Sequence, residues 1–235
     1  MSKLFRRKST YLIGVPVLLV LAFVGGPFVY IHFVEGPAPK RLSFATATSS
    51  STSVTGPRTA TSGVDGTWNL VSDSTVGYRV PEVLFGQSTT AVGRTHSVTG
   101  SITITGTTVP SATFTADMTT VSSDRSGRDN QFQHRVMDTS TYPTATFTLT
   151  KPIALPGIPA NLVQISTSAV GDLTLHGTKR SVTFTLTTRR NGGNVEVNGT
   201  IPIKFADYNI PNPSFGPART EDHGELEFLL VFSRA

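Results

Sequence analysis

The sequence predicts an all-β domain of antiparallel strands with one short helix, preceded by a linker and a single N-terminal transmembrane helix. Three observations point there. Residues 11–34 form an apolar run without Asp, Glu, Lys or Arg, small and polar residues dominate as far as residue 63, and from Val64 to Ala235 apolar and polar residues alternate in short segments. A chain of 235 residues that is 37% hydrophobic is not disordered throughout. Cysteine is absent, which excludes disulfides, thiol nucleophiles and cysteine-held metals, so the domain is stabilised by packing.

Residues 1–10 form a basic tail with Lys3, Arg6, Arg7 and Lys8. The 24 uncharged residues that follow, 11–34, are long enough as a helix to cross the roughly 30 Å hydrocarbon core. A cleavable signal peptide is the competing reading. Its apolar stretch runs only about 7–15 residues and ends in small residues, whereas this one ends in Tyr30, Ile31, His32 and Phe33. With the basic tail held in the cytoplasm, the rest of the chain is expected outside the membrane. Residues 35–63 read as a flexible linker, since 22 of the 28 residues from 36 to 63 are Gly, Pro, Ala, Ser or Thr. As a random coil it has a reach of about 30 Å. The formal charge of +5 belongs to this end: the first 63 residues carry an excess of six positive charges and the remainder an excess of one negative. The domain therefore has no basic excess to attract nucleic acid.

The alternating domain, 64–235, is read element by element. Trp68 and Leu70, then Val76, Tyr78 and Val80, suggest a first hairpin. Val98, Ile102 and Ile104 share one parity, with Ser and Thr on the other; so do Ala112, Phe114, Ala116 and Met118. Between Ser122 and Met137 the period changes. Phe132 and Val136 stand four apart among polar residues, as on a short amphipathic helix that Asp124 or Ser126 would cap. Alternation resumes with Ala145, Phe147 and Leu149, with Val182, Phe184 and Leu186, and with Leu226, Phe228, Leu230 and Phe232. Turns are expected at Thr105-Gly106-Thr107, Pro156-Gly157, Asn191-Gly192-Gly193 and Asn198-Gly199, because Asn-Gly suits the positive φ angles of tight hairpins. Seven or more antiparallel strands result. They fit a barrel or a sandwich, and the period is the same whether the interior is a packed core or a cavity.

Three segments resemble the YceI-like family, the lipocalin-like polyisoprenoid-binding proteins of the bacterial envelope. They are Arg128-Asp129 with Phe132, Thr141-Tyr142-Pro143 and the strand Ala145 to Leu149; Gly171-Asp172-Leu173-Thr174-Leu175-His176-Gly177; and Trp68 followed by Asp73-Ser74. The final strand, Leu226 to Phe232, extends the resemblance over residues 66–233. The sequence departs from the family pattern at Gly177-Thr178-Lys179-Arg180-Ser181-Val182, in lacking a His before Ser74, and at Phe205-Ala206-Asp207-Tyr208-Asn209, where a late basic residue is lost.

The resemblance implies an antiparallel lipocalin-like barrel whose interior holds a polyisoprenoid, an isoprenoid quinone or a similar amphiphile. Burying each CH₂ is worth about 0.8 kcal/mol, so an apolar tube can hold a long tail without specific hydrogen bonds. The candidate lining is Tyr78 and Val80; Val98, Ile102 and Ile104; Phe114 and Met118; Phe132; Phe147 and Leu149; Leu173 and Leu175; Phe184; and Phe228. Arg128 and Asp129 are candidates for a rim that meets a head group, with helix capping and solvated ion pairing as the plainer role for that charge cluster.

No catalytic residues are assigned. The histidines His96, His134, His176 and His223 lack metal-ligand spacing, and there is no nucleophile elbow, phosphate loop or dinucleotide fingerprint. Asn198-Gly199-Thr200 is a glycosylation sequon that a hairpin turn already explains. The expected function is that of a membrane-anchored extracytoplasmic lipid binder, not an enzyme, with no cofactor or metal and no nucleic-acid partner. The alternative is a solid barrel that docks a protein partner through its outer face or through the Asn209 to Asp222 loop.

Overall fold

In a computed structural model that describes residues 37–45, 63–216 and 218–235, the alternation becomes thirteen strands of one antiparallel sheet. The apolar run 11–34, the basic tail and linker residues 46–62 lie outside the described residues. The strands are β1 (Gly66–Leu70), β2 (Thr75–Leu84), β3 (Gln87–Thr95), β4 (Val98–Thr105), β5 (Thr108–Asp117), β6 (Ser122–Ser123), β7 (Thr144–Lys151), β8 (Ile153–Ala154), β9 (Ile165–Leu175), β10 (Thr178–Asn191), β11 (Asn194–Lys204), β12 (Ala218–Thr220) and β13 (His223–Arg234).

Neighbouring strands follow the order β1-β4-β5-β7-β9-β10-β11-β13, and β13 pairs back onto β1 through Trp68↔Arg234 and Leu70↔Phe232. Closure removes the sheet edges and makes an eight-stranded barrel. The remaining long strands extend one wall. β2 lies on the same side of β13 as β1 does, with Leu226↔Tyr78 and Leu229↔Thr75, and β3 pairs β2.

The expected hairpin of β1 with β2 is therefore not formed: the two are successive stretches along β13, interrupted at residues 71–74. Ser74 bridges the interruption. It is fully buried, its hydroxyl donates to the Val231 carbonyl at 3.2 Å, and its oxygen accepts from the Val231 N–H at 3.0 Å.

A second expectation fails at Asn198-Gly199, which is not a turn. Both residues lie inside β11, paired to Leu229 and Phe228. Here Asn-Gly serves the two faces of the wall separately: the Asn198 side chain donates outside to the carbonyls of Leu42 and Phe228, and Gly199 leaves space inside for an aromatic ring. The other turn signals do connect strands or lie in loops, and the β9–β10 hairpin turns through His176 and Gly177, both at positive φ.

The helix is α1 (Ser126–Gln131), continued by a π-helical turn over Phe132–Val136. Neither expected cap is used. Arg125 occupies the N-cap position without a side-chain bond, and Asp129 instead accepts from the N–H and hydroxyl of Ser123 at 2.8 and 2.6 Å. That carboxylate ties the helix to β6.

Part of the stretch read as a flexible linker is docked. Residues 37–45 run across the outer wall, where Arg79 donates to the Pro39 carbonyl at 2.8 Å, the Leu42 N–H to Glu227 at 3.3 Å, and Arg189 to the Ala45 carbonyl at 3.0 Å. Composition misled here because the small residues surround one Lys-Arg-Leu-Ser-Phe core that finds partners on the barrel.

Replacing Ser74 by Ala should lower the stability of the domain by about 1–3 kcal/mol, since the buried Val231 N–H loses its acceptor. The denaturant midpoint, at unchanged slope, measures it.

Candidate lipid-binding cavity

Inward-facing residues follow from strand parity, and the barrel they line is hollow. A cavity of about 790 Å³ occupies its axis, within the range of small-molecule sites. All fourteen lining candidates border it. The solid-barrel alternative is thereby corrected: the side chains do not meet at the centre.

The reason lies in four glycines. Tyr78, Phe114 and Phe228 stand directly opposite Gly93, Gly100 and Gly199 on neighbouring strands. A Cβ added at those glycines would come within 2.4, 2.9 and 2.6 Å of the respective rings. Gly171 is covered in the same way, its added Cβ meeting the Phe147 ring at 2.3 Å. The rings lie back over bare backbone, a recognised aromatic–glycine pairing in sheets, so bulky residues coat the wall and leave the axis empty. Phe147, Phe184 and Phe228 then meet edge to face at 5.5 and 5.8 Å.

The two ends differ. At the end where β1 lies, Trp68 is buried and donates its indole N–H to the Val64 carbonyl at 2.8 Å, and the cavity is bordered there by Ile104, Val109, Val195 and Phe232. At the other end the cavity reaches Leu84, Phe215, Asp124, Ser126 and Gly127. Phe215 is 58% exposed, so this end opens to solvent. α1 and the π-helical turn cross the opening, anchored by Phe132 stacked on Tyr78 at 5.1 Å.

Of the two rim candidates, Arg128 borders the cavity and Asp129 does not. Asp129 is consumed by Ser123. Arg128 reaches Glu82 at 3.3 Å and also bonds Asp124. Burial works against its charge, but Glu82 and Asp124 outweigh that and hold its pKa above the ordinary arginine value. The acceptor Glu82 was missed by the sequence reading, although it continues the parity of Tyr78 and Val80 beyond Pro81. Val195, Val197, Ile201 and Ile203 also line the cavity from β11. Their alternation was legible, but reading Asn198-Gly199 as a turn cut it in two.

The Tyr78 phenol is pushed well above its usual pKa, chiefly by burial, with Arg128 opposing. His176 sits at a hairpin, its Nδ1 3.2 Å from the Tyr208 carbonyl and its ring 4.5 Å from that of Tyr142. His223 pairs with its neighbour Asp222. Among the described residues no group of three His, Asp or Glu is placed to hold a metal ion.

Residues 68–232 match the model of the YceI-like domain. The chain belongs to this family. Among solved structures, this YceI-like chain is similar to a polyisoprenoid-binding domain from Saccharophagus degradans implicated in plant cell wall breakdown. The TM-score is 0.57 at 17% identity, covering 72% of this chain and 98% of that one. It is also similar to BcnA of Burkholderia cenocepacia, with a TM-score of 0.53 at 23% identity over 67% of this chain and 95% of that one. No curated protein matches the sequence. These likenesses establish the YceI-like barrel; the glycine-backed rings account for its hollow interior here.

Two outcomes test the site. Gly199→Ala should drive the Phe228 ring toward the axis and cost about 1–3 kcal/mol by overpacking, read as a lower melting temperature. In an alkaline titration followed by tyrosine absorbance, Tyr78 and Tyr208, both raised chiefly by burial, should ionise late, and the Tyr78→Phe variant should lose part of that late step. The raised folded-state value means that the contribution of Tyr78 to stability is complete below the ordinary tyrosine pKa and is lost as pH climbs above it.

Proposed function

We propose that this YceI-like protein is a membrane-anchored extracytoplasmic lipid binder that holds a polyisoprenoid, an isoprenoid quinone or a similar amphiphile for sequestration or transport. The observation that carries the reading is the cavity: about 790 Å³, lined by aliphatic and aromatic side chains, and open at one end beside a charged rim. Family membership supports it, as does the likeness to the polyisoprenoid-binding domain from Saccharophagus degradans. An apolar tail inside the barrel would leave its polar head at Arg128, Glu82 and Asp124. The uncharged run 11–34 supplies the anchor in this reading, and the basic residues before it set the orientation. Among the described residues no helix is long and apolar enough to cross a membrane, and residues 11–34 fall outside them.

Native mass spectrometry with organic extraction tests the reading on residues 37–235 purified from bacteria without detergent. One isoprenoid or acyl species per chain is expected, and Ala169→Phe, which fills the lumen at a position 1% exposed, should reduce it severalfold. A clean protein mass that persists after incubation with isoprenoid quinones and phospholipids sinks the proposal.

A further inference from the structure

Two bulky apolar side chains stand out at the open end of the barrel. Phe85 is 48% exposed and Phe215 58% exposed. They are neighbours in the fold: Leu84, just before Phe85, pairs with Ala218, and Ala218 pairs with Phe215. Phe85 is held out on the β2–β3 turn at φ 49°, a left-handed conformation that a bulky residue rarely adopts. Phe215 is held out by Arg135, which donates to the Pro213 and Ser214 carbonyls at 3.0 and 2.9 Å and lies 5.2 Å from the ring. Neither ring is needed to fill the core.

A second, independent observation concerns the strap, residues 37–45. Its contacts move along β13 as it runs. Pro39 meets Arg79, opposite Glu225; Leu42 meets Glu227 and also Asn198, opposite Leu229; Ala45 meets Arg189, whose partner Glu196 lies opposite Val231. The strap therefore descends from the open end toward the floor, and its N-terminal end heads for the side where β13 begins at His223. The uncharged run ends at Val34, three residues before Pro37, a gap of at most about 10 Å of extended chain.

Resting on the anchored lipid-binder reading, we propose that the open end of the barrel docks on the bilayer surface. Phe85 and Phe215 insert among the lipids, and the strap holds the barrel in that pose. The occupant is the membrane in which the chain's own apolar run would sit. The strap starts at the side of the opening, at most about 10 Å of extended chain from that run; Phe215 borders the opening, and Phe85 follows Leu84, which borders it as well. A lipid then passes between bilayer and cavity without crossing water, its tail sliding past the rings while its head group meets Arg128. A free tether of 28 residues would allow any orientation; a docked strap allows one.

The test uses the full chain carrying Trp68→Phe and Phe85→Trp, so that the introduced indole is the only one, reconstituted in phosphatidylcholine vesicles with and without acyl-brominated phosphatidylcholine. An indole seated about 5–10 Å into the boundary region should show blue-shifted emission and lose about half of it to the bromines. Phe215→Trp in the same background should behave alike. Val163→Trp, at an exposed position in the loop near the floor, should lose none. Equal emission from all three overturns the proposal. Lipid extracted from the same preparations separates the two ideas: bound isoprenoid without quenching leaves the lipid-binding reading and removes docking, and quenching without bound isoprenoid does the reverse.

Discussion

The hollow interior depends on where aromatic rings can lie. An eight-stranded barrel has room for side chains to meet at its axis, and this one carries enough Phe and Tyr to fill it. Placing glycine across from Tyr78, Phe114 and Phe228, and under Phe147, lets each ring fold back against the wall. The rings still bury area and pack edge to face, so the wall is well packed while the axis stays free. Everything proposed about lipid binding follows from that arrangement, because a space lined almost wholly by apolar side chains has few suitable occupants besides an apolar chain.

The outer wall solves a different problem. Glu227 points outward from β13 yet is only 1% exposed. A buried carboxylate is costly unless paired and hydrogen-bonded. Arg94 supplies a bond at 2.8 Å, the Leu42 N–H another at 3.3 Å, and Arg79 stands 3.7 Å away. Next along the strap, Arg189 bonds Glu196 at 2.6 Å and lies 4.6 Å from the Phe44 ring. The strap and the charge row are thus mutually dependent: the strap excludes water from the ion pairs, and their unsatisfied donors and acceptors specify the path of the strap. Polar satisfaction fixes geometry here more than it adds net stability.

Inside and outside are linked through strand parity. Asn198 and Gly199 are adjacent, one binding the strap and the other backing Phe228. Along β2, Tyr78 faces the lumen and Arg79 faces the strap. A one-residue slip in either strand would exchange the two environments, placing a guanidinium in the cavity and a phenol under the strap. The closure of the barrel therefore sets the site and the outer surface together.

The sequence by itself determined seven of the thirteen strands, the parity of the lining residues that lie on them and the family pattern, because a two-residue period is local and a half-buried wall enforces it. It also placed Arg128 near the site, through the motif that carries it. Only the tertiary structure decided that the lumen is empty, since ring direction depends on a glycine one strand away and not on any neighbour in sequence. The same holds for β1 and β2 sharing β13 as a partner, for Asn198-Gly199 lying within a strand, for Asp129 binding Ser123 and for Glu82 joining the rim. The docked path of residues 37–45 was hidden for the strongest form of this reason. Its partners are separated from it by as many as 185 residues, and a composition rule for linkers has no access to a charge row assembled from five strands.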